Sequence, residues 1–189
     1  MTQEEALNTL SSEVAEIVLI SVKAELEAQG HKMTGDLYNS IRYEIRSEAG
    51  KSIIDYFFLD YGMVQNYGIK ADRIPFSAGS GAKKSKYIDG LVKFVQNRMG
   101  KSGKEAERIA FAIARKHKTE GMPTANSYSS KYTKNGRRLN WISEGIAEAT
   151  PKVNEAISKY FPMVIDSIMI SAFAEISKQN SKNLKVNIK

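Results

Sequence analysis

The sequence predicts an α+β protein with a long N-terminal helix, a small antiparallel sheet of about three to four strands, two short helices, and a long C-terminal helix kinked or broken near Pro162. Three observations carry this. Apolar residues recur at helical intervals near both ends, the period falls to two after Leu37, and helical spacing returns in two short runs between 87 and 119. With 189 residues, 42% of them apolar, the chain suits one domain that buries a core without metals or crosslinks. Residues 1–180 are assigned to that domain and 181–189 to a frayed tail.

Thr2 and Glu5 have capping-box spacing, and Leu7, Leu10, Val14, Ile17, Val18 and Val22 then repeat at helical intervals up to Gly30, a left-handed stop. Four successive apolar residues, Ile17 to Ile20, cover more than one face of this helix. Ile41, Tyr43 and Ile45 alternate with Arg42, Glu44 and Arg46, which gives a half-buried strand. The short Glu48-Ala49-Gly50-Lys51 link leads into the apolar run Ile53 to Leu59, a hairpin pattern, and Tyr61 to Tyr67 between two glycines reads as a third strand. Residues 70–86 lack periodicity and predict a flexible loop.

Helical periodicity resumes at Tyr87 to Met99 and Gly103 to Thr119, the second preceded by a Ser102/Glu105 capping-box spacing and ended by Gly121 and Pro123. Asn135-Gly136 lies in a basic, aromatic stretch and predicts an arm or hairpin over 124–141. Thr150 followed by Pro151 reads as the start of the last helix, whose stripe runs from Val153 to Ile176 and places Ile165 in the core. Pro162, inside that stripe, removes one helical hydrogen bond, hence the expected kink or break.

Composition excludes several function classes. There is no cysteine, so no disulfide framework, thiolate metal site or cysteine nucleophile exists. The acidic N-terminus is unlike a signal peptide, and Asp166 and two serines interrupt the longest apolar stretch, so neither export by that route nor membrane spanning is expected. The net charge of +7 is concentrated in Arg115, Lys116, Lys118, Lys131, Lys134, Arg137 and Arg138. Such a cluster is either a solvated face or a contact for phosphate or an acidic partner.

No catalytic constellation emerges. Gly79 to Ser85 fails the phosphate-loop pattern, because Lys83 stands where glycine is required and no hydrophobic strand precedes it. Asp55 and Asp60 are the best acid-base candidates, yet Asp55 fits an arginine pair better. His31 and His117 fall at helix ends without partners at ligand spacing. No enzyme activity, metal or cofactor is expected. Tyr128, Tyr132, Lys134, Arg137, Arg138 and Trp141 interleave aromatic and basic side chains, as a base-stacking surface or a protein-interface anchor would. Ile54, Tyr56 and Phe58, on the doubly apolar strand, join Tyr132, Lys134, Arg137, Arg138 and Trp141 as candidate partner or subunit contacts.

The order of these motifs resembles the neck and tail-completion proteins of long-tailed bacteriophages. The resemblance runs through Met33-Thr34-Gly35-Asp36-Leu37-Tyr38-Asn39-Ser40-Ile41, an apolar strand ending in Tyr61-Gly62, then Ala110-Phe111-Ala112-Ile113-Ala114-Arg115-Lys116 and Gly121-Met122-Pro123. It departs at Gly62-Met63 and Pro123-Thr124, where that family often has Gly-Thr and a Pro-aromatic pair. The resemblance implies a homo-oligomeric ring, hexameric in the family's manner, at the head-tail junction of the virion, assembled in the host cytoplasm. Its partners would be connector or adaptor and tail tube proteins, with DNA passing through the lumen without sequence-specific binding and no membrane involved. A small basic nucleic-acid-binding module is the alternative reading.

Overall fold

Residues 3–48, 51–77 and 85–186 are described by a computed structural model, residues 3 and 180–186 by their backbone alone. Helix α1 spans Gln3–Ala28, α2 Asp36–Ser40, strands β1 Arg42–Glu48 and β2 Lys51–Phe57, then α3 Tyr61–Tyr67, α4 Lys86–Met99, α5 Gly103–Glu120 and α6 Trp141–Val186. The fold is α+β, with one two-stranded antiparallel sheet among the described residues. The Thr2 cap, the hairpin turn at 49–50 and Gly79 to Lys84 lie outside them.

Two compact units divide the chain. One takes residues 1–21, 42–57 and 146–189; the other takes 22–41 and 58–145, so α1 and α6 each contribute to both. In the first, the hairpin register sets Tyr43 opposite Tyr56 and Ile45 opposite Ile54, which puts the half-buried side chains on one face and Arg42, Glu44 and Arg46 on the other. The dry face meets α1: the Tyr56 hydroxyl donates to the Ala15 carbonyl at 3.0 Å, and Ser11 is bonded to the Ser52 hydroxyl at 2.6 Å. Small buried residues dominate here, Ala6 and Ala15 on α1 and Ala149 and Ala156 on α6. At Ile17 to Ile20 the apolar run covers several faces as its pattern predicts, three side chains being half-buried and Ile20 exposed.

The second unit is built around Trp141, Leu26, Gln29 and Val95, its largest fully buried side chains. Trp141 packs edge-on against Phe58 at 5.5 Å and donates its indole N–H to the Gly62 carbonyl at 3.3 Å. On α5, Ala106, Ala110 and Ala114 form a buried stripe of small residues at one-turn intervals, while α4 buries Ile88 and Val95. Val22 and Gly145 bring α1 and α6 together so closely that a Cβ on Gly145 would lie 2.6 Å from the Val22 Cα.

The structure corrects several expectations. The segment Tyr61–Tyr67 is helix, not a third strand, so the sheet has two strands instead of three to four. Gly62 is there for packing, since a Cβ would meet Phe58 at 2.8 Å and Leu37 at 2.9 Å, and Gly68, at φ 72°, is the helix terminator. The stretch 124–141 is no hairpin among the described residues: it forms a 3-10 turn at Ala125–Tyr128 and then folds back along α1. Ser102 makes no side-chain cap, whereas Ser85 accepts from the Ile88 N–H at 3.2 Å and caps α4.

Helix α6 begins at Trp141, so Thr150 is interior and donates to the Ile146 carbonyl, and α6 continues unbroken through Pro151 and Pro162. Its true start is held by Asn66, whose carbonyl accepts from Asn140 N–H at 2.8 Å and whose Oδ1 accepts from Ile142 N–H at 3.0 Å. The expected frayed tail is helical to Val186. Of the predicted loop at 70–86, the described part is anchored: Ile74 is buried, Lys118 donates to its carbonyl at 3.2 Å, and Ile69 bridges Met122.

Candidate functional site

The titratable candidates named by the sequence are Asp55, Asp60, His31 and His117. Asp55 accepts from Arg46 Nε at 2.8 Å on the exposed face of the hairpin, and Asp60 is exposed at the start of α3. The imidazole of His31 donates from Nε2 to the Arg138 carbonyl at 3.1 Å; burial, then the nearby Arg138 cation, push its pKa down to about 4. Burial lowers the His117 pKa and raises that of Tyr87 to about 12, and the Tyr87 hydroxyl and His117 Nδ1 are hydrogen-bonded at 2.7 Å. Among the described residues no three His, Cys, Asp or Glu side chains come together to hold a metal.

The basic segment completes the C-terminal end of α1. Gly30, at φ 73°, lets its N–H reach the Glu27 carbonyl while the His31 N–H reaches that of Leu26, a Schellman motif. The remaining carbonyls are taken by distant residues. Ala28 accepts from Lys134 N–H at 2.7 Å and the Thr133 hydroxyl at 3.1 Å, Gln29 from Arg138, and Gly30 from Arg98 at 2.8 Å. Two guanidinium groups thus sit at the negative end of the helix dipole. Buried Glu25 accepts from Gln29 and Asn135, both at 2.9 Å, and lies 3.8 Å from Arg137.

This arrangement redistributes the sequence candidates. Arg138 is largely buried and bonded to Gln29 and Tyr132 carbonyls; Arg137 pairs with Glu144 at 2.9 Å; Lys134 pairs with Glu27 at 3.3 Å. Tyr132 is half-buried under the Lys131 ammonium. Trp141, at 0% exposure, belongs to the core of its own chain and is not an anchor offered to a partner. Lys116 and Lys118 are likewise engaged, with Glu120 and with the Asp72 and Ile74 carbonyls. Ile54 and Tyr56 are half-buried on the hairpin face against α1, and Phe58 packs on Trp141.

The surface that stands out is apolar. On α6, Phe161, Ile165, Ile168, Met169, Phe173 and Ile176 are all exposed, which corrects the core placement of Ile165, itself 41% exposed. Within Trp141–Gln179, α6 holds an 18-residue window long and apolar enough to cross a membrane, and 6% of that window is buried. A second group surrounds α3, whose polarity is inverted: Gly62 and Asn66 face inward while Tyr61, Met63, Val64 and Tyr67 face outward, beside exposed Leu59.

No family model, curated protein or solved structure matches the chain. The α3 group was missed because its aromatic ends and flanking glycines imitate a strand. Glu25 and Gln29 were missed because nothing local marks a polar pair for burial. A signal for α6 was present in its unusually wide apolar pattern.

Proposed function

We propose that this chain is a structural, non-enzymatic subunit of the head-to-tail junction of a long-tailed bacteriophage, part of a neck or tail-completion ring docking between portal and tail tube. The carrying observation is the amount of large apolar side chain left uncovered on α6 and around α3. A lone soluble protein seldom presents contiguous apolar patches of several hundred square ångströms, whereas a subunit that meets copies of itself needs them.

The Thr-Gly-x-Leu-x-x-Ser-Ile piece supports the reading by its local role. Gly35 takes φ 89° to start α2, Leu37 and Ile41 are buried, and Ser40 accepts from the Leu59 N–H at 3.2 Å. These residues turn the chain from α1 into the sheet, the task they have in the family it resembles. Internal use of Lys134, Arg137 and Arg138 leaves less basic surface for a nucleic-acid module than the charge cluster suggests. DNA would pass through such a ring without being read, and the finished subunit would reside in the virion.

Light scattering and negative-stain imaging of the purified protein test this. Closed rings, six-fold in the resembled family, are expected, together with labelling of virions at the head-tail junction. A monomer at high concentration that binds short duplexes with steep salt dependence would overturn it.

A further inference from the structure

We infer that the free stripe of α6 docks on the apolar group around α3 of a second copy of this chain, repeated head to tail. At about 100° per residue and with Ile157 as zero, buried Ala149, Ala156 and Ser167 and half-buried Val153, Tyr160 and Val164 fall between about 260° and 340°. That is the stripe α6 uses within its own unit. Phe161, Ile165, Ile168, Met169, Phe173 and Ile176 fall between about 20° and 160°, a separate arc of exposed side chains.

The two exposed groups are unlike and both lack cover. Pairing α6 with α6 would hide one and leave α3 wet; pairing α6 with α3 of the next copy hides both and is heterologous, as a ring requires. Six side chains on α6 at about half exposure present roughly 500–600 Å², and the five around α3 roughly 400 Å², so their contact buries roughly 1,000 Å², the size at which a specific interface becomes stable. A lipid surface is the poorer occupant. Membrane-lying helices carry Lys and Arg beside the apolar face, whereas Asp166 and Glu175 flank the arc at about 180° and 0°, and Lys159, near 200°, is paired with Glu13.

The contact rests on the assembly reading but fails separately from it. Because the chain has no cysteine, introduced thiols report cleanly. With a short bis-maleimide, Ile168→Cys/Tyr67→Cys should give a ladder of covalent oligomers, while either single variant gives none. Phe173→Asp and Val64→Asp should each yield a folded monomer, melting within a few degrees of wild type. Mixed together they should form 1:1 dimers, since each retains the surface the other has lost. Rings without a ladder, or a covalent dimer from Ile168→Cys alone, overturn this contact and leave the assembly reading standing. A wild-type monomer in solution, or one that binds only to vesicles of neutral or anionic phospholipid, overturns both.

Discussion

Arg137 and Arg138 are neighbours in sequence, and surface reasoning would treat them alike; the structure separates them by their partners. Arg138→Met keeps most of the stem but removes the guanidinium from the Gln29 and Tyr132 carbonyls. Each buried acceptor left without a donor costs about 1–3 kcal/mol, and loss of a cation from the helix terminus adds up to about 1 kcal/mol. Burial of the charge itself offsets part of this, since desolvation pulls the Arg138 pKa down. A net loss of about 2–4 kcal/mol follows, which at this chain length lowers Tm by about 5–15 °C. Arg137→Met removes, from a side chain 48% exposed, an ion pair to Glu144 and a longer one to Glu25, which keeps its bonds from Gln29 and Asn135, and should cost about 1 kcal/mol or less. Urea denaturation and thermal melting of both variants measure the difference. Equal, small losses would refute the cap, and a larger loss for Arg137→Met would reverse the assignment.

Gly30→Ala should cost more than about 3 kcal/mol, because the left-handed backbone is strained for alanine and the new Cβ would lie 1.8 Å from the Tyr132 carbonyl oxygen; an unchanged urea midpoint would count against the motif. Acid should destabilise the protein. The folded His31 pKa of about 4 lies below its ordinary 6.5, so the unfolded chain binds the extra proton, and stability falls as pH drops from about 6.5 to 4 by about 3 kcal/mol while staying flat above 7. His117 shifts in the same direction, and His31→Gln should flatten the slope; stability that rises on acidification would contradict the burial of these rings. Ile165→Asp should leave a folded monomer, with circular dichroism preserved and assembly lost; an unfolded product would return Ile165 to the core.

Much of the fold was legible where one face of an element meets water. The alternation at Tyr43 and Ile45 marks β1, and the spacing of Ile88 and Val95 marks α4, because in each the burial period equals the geometric one. It failed where a local signal was reused for another purpose. Thr150-Pro151 has the form of a helix start, yet the helix begins ten residues earlier on a cap supplied by Asn66, and the proline is simply accommodated on an exposed face. The basic stretch looked like a free arm because its partners, Glu25, Glu27 and the last carbonyls of α1, lie about a hundred positions away. Trp141 is apolar for the sake of its own core, while the outward apolar residues of α3 carried no mark to distinguish them from core.

The far-reaching completion of α1 has a consequence for how the polypeptide emerges during synthesis. Ala28, Gln29 and Gly30 receive their donors from Arg98, Thr133, Lys134 and Arg138. Until residues 98 to 138 have left the ribosome, these three carbonyls are held only by water. The C-terminal end of α1 is therefore secured long after it is made, later than the half of the helix that meets the hairpin.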